Sequence, residues 1–236
     1  MEKHIFSNTE EVAEHFAKYL LNVSTGKTEF HIALSGGSTP KALFDFIAQN
    51  FANKFDWDSI HLWWGDERCV APDDAESNYK MTYDRLISKI DIPKGNVHRV
   101  LGENAPDQEA VRYSKDILNN LSSENGLPKF DLIILGMGPD GHTASIFPHQ
   151  MELLQKKEIC AVATHPESGQ KRVTLTGNVI NNASEVAFLV TGGNKYDKVR
   201  SIFDKGLNHE LYPAYHIKPT HGKLVWFLDE AAWGNS

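Results

Sequence analysis

The sequence contains few cysteines, no long hydrophobic run and no excess of positive charge. Its 236 residues include two cysteines, Cys69 and Cys160, which are too few for a disulfide framework or a cysteine-rich zinc site. The longest apolar runs, such as residues 186–190, are far too short to cross a bilayer. The acidic N-terminal segment lacks the apolar core of a signal peptide. We therefore expect a cytoplasmic protein that does not engage a membrane.

The charge balance argues against a general nucleic-acid binder. Lys and Arg number 24 against 31 Asp and Glu, the formal net charge is −7, and no basic patch stands out. The length suits one large domain or two small ones. An anionic substrate has to overcome this unfavourable overall field through a few local cations and backbone amides. Single Arg and Lys residues beside glycine-rich loops are therefore the candidate ligands for such a substrate.

Short apolar segments alternate with helical patterns along the chain. Strands are predicted at 30–34, 59–64, 131–135, 158–163, 172–176, 185–191 and 223–228. Helices are predicted after Ser7, whose spacing to Glu10 fits a capping box, and at about 41–49, from near Ser77, at 107–121 and at 195–203. This alternation predicts an α/β fold with a doubly wound, mainly parallel sheet and helices on both faces. Antiparallel pairing within 158–191 and a small inserted subdomain stay open, and we expect residues 1–236 to form a single domain.

Polar loops follow the predicted strands that end near residues 34, 64, 135 and 191. In open parallel sheets, ligands collect beyond the carboxyl ends of the strands. The four loops therefore predict one shared site.

The first of these loops, "LSGGSTP" at 34–40, lies between a strand and the start of a helix. Free backbone N–H groups at Gly36, Gly37 and Ser38, together with the positive end of the helix dipole, favour a bound phosphate or sulfate. The spacing is not that of a P-loop, so nucleotide triphosphate binding is not indicated. The alternative is a tight turn with a hydroxyl cap.

The second loop, "WGDER" at 64–68, places charged residues directly after an apolar strand. Its position beside the other strand ends favours a binding role for Asp66 and Arg68. The alternative is a solvated loop in which these two side chains pair with each other.

The third loop, "GMGPDGH" at 136–142, has the G-x-G-x-x-G spacing of a dinucleotide-binding fingerprint. Asp140 would repel a pyrophosphate, however, and Glu158, at about the right distance for the ribose, begins a strand rather than ending one. We therefore favour glycines that present Asp140 and His142 from one rigid turn. Histidine is the side chain best suited to move a proton near neutral pH, although a structural role is the alternative for any one of the eleven histidines.

Two further cations lie at the predicted start of a strand or a helix. Arg172 opens a predicted strand, and Lys195 follows "TGGN" at a predicted helix start. Both are candidate anion ligands, Lys195 the better one, and a surface charge is the alternative for each. The sequence lacks H-E-x-x-H, C-x-x-C and clustered carboxylate ligand sets, so we expect no metal. It also lacks the G-x-S-x-G elbow of serine esterases.

Together these motifs resemble the 6-phosphogluconolactonases of the oxidative pentose phosphate pathway. The matching blocks are "LSGGSTP" (34–40), "WGDER" (64–68), "ESNY" (76–79), "GMGPDGHTASIFP" (136–148), "RVTLT" (172–176), "VTGGNK" (190–195), "YPA" (212–214) and "WFLDEAA" (226–232). The related glucosamine-6-phosphate deaminases share the fold and the phosphate loop. They have "DEY" where this chain has "DER", and a glutamate where it has Phe147. These departures favour the lactonases.

The resemblance implies a fold like that of the deaminases and ribose-5-phosphate isomerases. It also implies hydrolysis of 6-phospho-D-glucono-1,5-lactone to 6-phosphogluconate without a cofactor. The implied roles are phosphate binding by Gly36, Gly37 and Ser38 with Arg172 and Lys195, general-base catalysis by His142 supported by Asp140, and contact with the sugar by Asp66 and Arg68. The expected partner is the phosphorylated sugar lactone, with no nucleic acid and with the protein as a monomer or weak homodimer. A deaminase-like isomerase and a non-catalytic sugar-phosphate sensor are the alternatives.

Overall fold

The computed structural model describes residues 2–124 and 126–234. Its helices and strands, in chain order, are β1 (Glu2–Phe6), α1 (Thr9–Ser24), β2 (Phe30–Leu34), α2 (Ser38–Asn50), β3 (Ile60–Trp64), β4 (Asp66–Arg68), α3 (Asn78–Arg85), α4 (Pro106–Asn120), β5 (Ser123–Glu124), β6 (Leu127–Pro128), β7 (Leu132–Leu135), β8 (Cys160–Thr164), β9 (Lys171–Leu175), α5 (Gly177–Ile180), β10 (Glu185–Val190), α6 (Tyr196–Asp204), β11 (Lys223–Asp229) and α7 (Glu230–Trp233). Among the described residues, no helix combines the length and the hydropathy that a membrane span requires.

The largest sheet has six strands in the order β1-β11-β10-β7-β2-β3, and every neighbouring pair is parallel. The predicted fold class is therefore confirmed. Strands β2 and β7 in the middle of the sheet are buried along their whole length. This is why they appear in the sequence as continuous apolar runs rather than as an alternating pattern.

Helices cover both faces of this sheet. On β11, the ring of Phe227 packs edge-to-face against Phe16 of α1, whereas Trp226 packs edge-to-face against Phe203 of α6. Successive side chains of a strand point to opposite faces. Helices α1 and α6 therefore lie on opposite sides of the sheet, as a doubly wound fold requires.

The edge strand β1 was not predicted. It pairs with β11 from Glu2 opposite Val225 to Phe6 opposite Asp229. Its residues are exposed or half-buried because one edge of the strand has no neighbour within the sheet. Three polar residues at its start leave no apolar run by which a strand is recognised.

The predicted capping box at Ser7 and Glu10 is wrong by one residue. The N-cap of α1 is Asn8, whose Oδ1 accepts a hydrogen bond from the Glu11 backbone N–H at 3.0 Å. The Glu11 carboxylate in turn accepts from the Ser7 N–H at 3.0 Å. The predicted pair Ser7–Glu10 and the observed pair Asn8–Glu11 have the same three-residue spacing, and asparagine is at least as good an N-cap as serine. The predicted start of α3 at Ser77 is confirmed, since that hydroxyl caps the helix.

A second, antiparallel sheet has the strand order β4-β9-β8. The antiparallel pairing that the sequence left open within 158–191 is thus present. Residues 66–68 were expected to be a loop, and this is wrong, because they form strand β4 and place Arg68 opposite Arg172. A strand of three charged residues carries no hydrophobic pattern from which it can be predicted. The strands β5 and β6 form a separate two-stranded pair.

The strand order reverses direction at β2. Strand β3, the next strand of this sheet along the chain, lies on one side of β2, and β7 lies on the other side. The loops that leave β2 and β7 therefore diverge and open a crevice at the carboxyl ends of the strands. These loops are the "SGGS" segment and the "GMGPDGH" segment.

Candidate active site

A cavity of about 210 Å³ opens at this crevice. It is lined by eight of the nine predicted site residues, namely Gly36, Gly37, Ser38, Asp66, Arg68, His142, Arg172 and Lys195. Asp140, the ninth, contacts the cavity through His142. The structure therefore brings the four predicted strand-end loops together at one place.

The "SGGS" loop owes its glycines to two different constraints. Gly37 has a φ of +109°, a backbone conformation that side chains other than glycine rarely adopt. A Cβ on Gly36 would lie 2.0 Å from Oδ1 of Asn78, so any larger residue would displace that amide. Helix α2 begins directly afterwards, and Ser38 and Thr39 of its first turn line the cavity. The positive end of the helix dipole and its free N–H groups thus lie at the cavity wall, where an anion is favoured.

The "GMGPDGH" loop holds a hydrogen-bonded carboxylate–imidazole pair. Nδ1 of His142 lies 2.6 Å from Oδ1 of Asp140, and the same oxygen accepts the His142 backbone N–H at 3.2 Å. Burial pushes the pKa of Asp140 upward, but the hydrogen bond and charge of His142 outweigh it and hold the pKa below its ordinary value. An Nδ1–H that donates to this carboxylate leaves Nε2 with the free lone pair.

The glycines of this loop make that pair possible. A Cβ on Gly138 would lie 2.1 Å from Nδ1 of His142 and 2.7 Å from Oδ1 of Asp140. Gly141 has a φ of +84° and its Cα faces the ring of Tyr212, whose atoms would be 2.6 Å from a Cβ. Contacts within the loop and with Tyr212 thus account for Gly138 and Gly141, two of the three glycines in the spacing that resembles a dinucleotide fingerprint.

Arg172 and Lys195, two of the cations that line the cavity, have no carboxylate partner among the described residues. Arg172 is 9% exposed, and its Nε donates to Oε1 of Gln170 at 3.3 Å. Burial lowers the pKa of Arg172, and burial likewise lowers the pKa of Lys195, opposed in part by the charge of Asp140. Within residues 2–124 and 126–234, neither side chain forms an ion pair. Both are therefore available to a bound anion, and such an anion would offset the cost of burying them.

Asp66 and Arg68 do not form the isolated surface pair that the sequence allowed. The buried Asp66 carboxylate accepts a hydrogen bond from the Ser145 hydroxyl at 2.6 Å. This bond links β4 to the segment that follows His142. Nη1 of Arg68 donates to the Glu76 carbonyl at 2.6 Å instead. Both side chains line the cavity from the second sheet, so the interpretation as a solvated loop is wrong.

Two further residues of the site had no role assigned from sequence. Asn78, the first residue of α3, is 3% exposed, lines the cavity and donates its Nδ2 to the Asp66 carbonyl at 3.0 Å. Ser145 is fully buried and is linked to the site through the hydrogen bond that its hydroxyl donates to Asp66. Both fall in blocks that the sequence singled out, "ESNY" and "TAS", but only the fold shows which of those residues face the site.

The arrangement joins an oriented imidazole to an anion-binding wall. The free nitrogen of His142 can take a proton from water or from a substrate hydroxyl. The glycine loop, the start of α2, Arg172 and Lys195 can hold a phosphate. A substrate with a phosphate at one end and a reactive carbon at the other suits such a site.

Comparisons with known proteins point in the same direction. The family model described as glucosamine-6-phosphate isomerases/6-phosphogluconolactonase matches residues 7–226. The chain is 47% identical over 206 residues to a 6-phosphogluconolactonase of Treponema pallidum, covering 86% of this chain and 84% of that protein. It is 41% identical over 228 residues to a 6-phosphogluconolactonase of Haemophilus influenzae, covering 96% of each.

A solved structure is similar over nearly the whole chain. The crystal structure of a protein described as devB superposes with a TM-score of 0.95 at 45% sequence identity. The superposition covers 99% of this chain and 98% of that one. The similarity thus extends through both sheets and all the loops that form the cavity.

Proposed function

This chain belongs to the glucosamine-6-phosphate isomerase/6-phosphogluconolactonase family, and we propose that it hydrolyses 6-phospho-D-glucono-1,5-lactone to 6-phosphogluconate with His142 as the general base. This is lactone hydrolysis, the second step of the oxidative pentose phosphate pathway. One observation carries the proposal beyond the family relationship. The Asp140–His142 pair, Arg172 and Lys195 meet at the same cavity, and neither cation has a carboxylate partner in the described part of the chain.

The phosphate of the lactone is remote from the carbonyl that reacts. In this proposal it binds Gly36, Gly37 and Ser38 and is neutralised by Arg172 and Lys195. Binding energy from this remote group is then used to hold the carbonyl carbon in place for attack. Asp66 and Arg68, on the wall formed by β4, contact the hydroxyls of the sugar ring.

His142 performs the proton transfers. Asp140 holds Nδ1, so that Nε2 removes a proton from a water molecule as its oxygen attacks the lactone carbonyl carbon. The carbonyl π electrons move to oxygen and form a tetrahedral intermediate. When that intermediate collapses, the bond to the ring oxygen breaks and the imidazolium returns its proton to the leaving oxygen. A positioned base of this kind contributes about 10²–10⁴-fold to the rate.

The neighbour of His142 favours lactone hydrolysis over deamination. The ring of Phe147 is fully buried, and its centroid lies 4.7 Å from that of His142. The resemblance places a glutamate at this position in the deaminases. Phe147 has no group that can relay a proton, so it cannot carry the additional proton transfers of amine release.

The test is the decay of freshly generated lactone. Oxidation of glucose 6-phosphate by its dehydrogenase supplies the lactone, and we expect the protein to accelerate its disappearance above the spontaneous rate. We expect no ammonia from glucosamine 6-phosphate under the same conditions. Lactone decay at the spontaneous rate, or release of ammonia, would overturn the assignment.

A further inference from the structure

Glu67 is a buried carboxylate beside the cavity that no step above uses. It is 2% exposed, and four hydrogen bonds occupy its two oxygens. Oε1 accepts the backbone N–H groups of Arg68 at 2.7 Å and Asn78 at 2.8 Å. Oε2 accepts the Tyr79 N–H at 2.7 Å and the Ser77 hydroxyl at 3.1 Å.

Placing a negative charge here carries a cost. Burial raises the pKa of Glu67 and the charge of neighbouring Asp66 raises it further, whereas the three backbone N–H groups oppose both. A buried carboxylate is tolerated when hydrogen bonds satisfy it, and one at a helix start gains from the helix dipole. All four donors lie at the junction of β4 with the start of α3. A single carboxylate at this junction can therefore accept from all of them.

That junction carries two cavity-lining side chains. Arg68 directly follows Glu67, and Asn78 is the first residue of α3. The Asn78 amide donates to the Asp66 carbonyl and occupies the space over Gly36 that a Cβ would fill. The position of this helix start therefore sets the distance between the wall that carries Arg68 and the proposed phosphate loop, which is the segment from Gly36 to Ser38.

We propose that Glu67 is a positioning residue for substrate binding, whose carboxylate fixes Arg68 and Asn78 against the phosphate loop without touching the substrate. This inference rests on the proposed lactonase function. In Glu67→Gln, an amide NH₂ replaces one oxygen and faces N–H donors instead of accepting from them. The helix start then shifts, and we expect KM for the lactone to rise about tenfold while kcat changes less than about threefold, the pattern of lost uniform binding.

Glu109 supplies a matched control. It is also buried, at 1% exposed, lies in the first turn of a helix, and accepts hydrogen bonds from the Leu101 N–H at 2.8 Å and Asn104 Nδ2 at 2.9 Å. Its carboxylate also pairs with Arg112 at 2.6 Å, and it does not line the cavity. Glu109→Gln should lower the melting temperature, as Glu67→Gln does, and leave KM unchanged.

The experiment measures melting temperature, kcat and KM for both variants, together with calorimetric affinity for 6-phosphogluconate and for inorganic phosphate. The proposal requires that Glu67→Gln alone weakens anion affinity and raises KM. Wild-type KM and affinity in a folded Glu67→Gln protein, or equal effects in both variants, would overturn it. If the wild type binds these anions without hydrolysing the lactone, the proposed function fails while the affinities still test Glu67. A wild type that neither binds these anions nor hydrolyses the lactone overturns both.

A milder pair of variants keeps the test available if Glu67→Gln does not fold. Ser77→Ala removes one donor to the Glu67 carboxylate and the cap of α3, whereas Asn8→Ala removes the cap of the distant α1. Both lose a helix cap of comparable kind. We expect KM to rise about threefold in Ser77→Ala and to stay at the wild-type value in Asn8→Ala. Identical KM values in the two variants would refute the role of Glu67.

Discussion

Histidines lie at both ends of the parallel sheet. The amino-end group consists of His31, His61 and His98, whereas His142 lies at the carboxyl ends, and the two environments differ in burial and in nearby charge. At the amino ends of β2 and β3, His31 lies opposite His61, and Nδ1 of His61 lies 3.1 Å from Nε2 of His98. The ring of His98 stacks on Trp63 at 3.9 Å between centroids. At the carboxyl ends, His142 lies at the cavity, hydrogen-bonded to Asp140.

The charges around the two groups explain their different chemistry. Burial lowers the pKa values of His31 and His61, and it lowers that of His98 to about 4. The acidic groups nearby do not compensate: Asp116 lies 4.0 Å from His98 and Glu29 lies 3.8 Å from His31, while Asp131 adds a longer-range attraction to His31. His142 has a carboxylate at 2.6 Å and one side open to the cavity. Burial favours the neutral form of the first group, which belongs to the packing, whereas the proposed function assigns proton transfer to His142.

We expect the two ends of the sheet to differ most in how their histidines affect kcat. His142→Gln should lower kcat by about 10²–10⁴-fold, because it removes the proposed base. His98→Gln, the matched change at the other end, should retain kcat within about threefold, since His98 does not contact the cavity. Steady-state kinetics on the lactone measures both. A His142→Gln protein with kcat close to the wild-type value would eliminate the assigned base.

The second prediction concerns how stability depends on pH, to which His98 at the amino ends of the strands is expected to contribute. Above pH 6.5, His98 is neutral in both the folded and unfolded chain and contributes no pH dependence. As pH falls from 6.5 toward 4, the unfolded chain binds a proton that the folded chain resists, so stability is lost across that window. For His98 the loss between pH 7 and pH 4.5 is about 2–3 kcal/mol.

Denaturant unfolding at the two pH values measures this loss. In His98→Gln we expect the difference in unfolding free energy between pH 7 and pH 4.5 to shrink by that amount. The depressed pKa of Asp140 makes a separate contribution, also lost in acid, which this variant leaves in place. An unchanged pH difference in His98→Gln would show that His98 does not contribute to acid stability.

The sequence predicted the shared site at the carboxyl ends of the strands but not the cluster of histidines at their amino ends. The loops after β2, β3 and β7 were predictable as one site, because the carboxyl ends of parallel strands converge. His31 and His61 lie inside apolar strands 30 residues apart, and their contact requires the β2–β3 register, which no local pattern specifies. The four hydrogen bonds of Glu67 depend on tertiary geometry in the same way.

The fold shows the same division. Buried strands such as β2 and β7 were predicted from their continuous apolar runs. The edge strand β1 and the charged strand β4 were missed, because neither has a hydrophobic pattern and both exist through pairing with distant segments. Local pattern therefore identified the strands that are buried on both faces and not those defined by their partners.

The third prediction tests whether cations matter only at the carboxyl end. Arg172→Ala and Lys195→Ala should each raise KM about 10–100-fold with a smaller effect on kcat, because a phosphate loses a charge-assisted contact. Lys27, paired with Asp131 at 3.9 Å near the amino ends of the strands, is the control. Lys27→Ala should have the wild-type KM. Unaltered KM values in both site variants would remove them as phosphate ligands.

The fourth prediction, with the smallest change, concerns Gly138, which leaves room for the Asp140–His142 pair. Gly138→Ala places a Cβ against His142 and Asp140, and we expect kcat to fall about tenfold as the imidazole is displaced. Gly95 has open space around its Cα and a negative φ, so Gly95→Ala should leave kcat unaltered. The same kinetic assay compares the two, and equal kcat values would mean that the loop accommodates the methyl group without moving the pair.

The most direct test of the account needs no variant. It compares kcat/KM of the wild-type protein for 6-phospho-D-glucono-1,5-lactone and for glucono-1,5-lactone, which has the same reacting group and no phosphate. If the carboxyl-end cavity anchors the phosphate to position the carbonyl for His142, the phosphorylated lactone is preferred by at least about 10²-fold. Equal values for the two lactones would contradict the account.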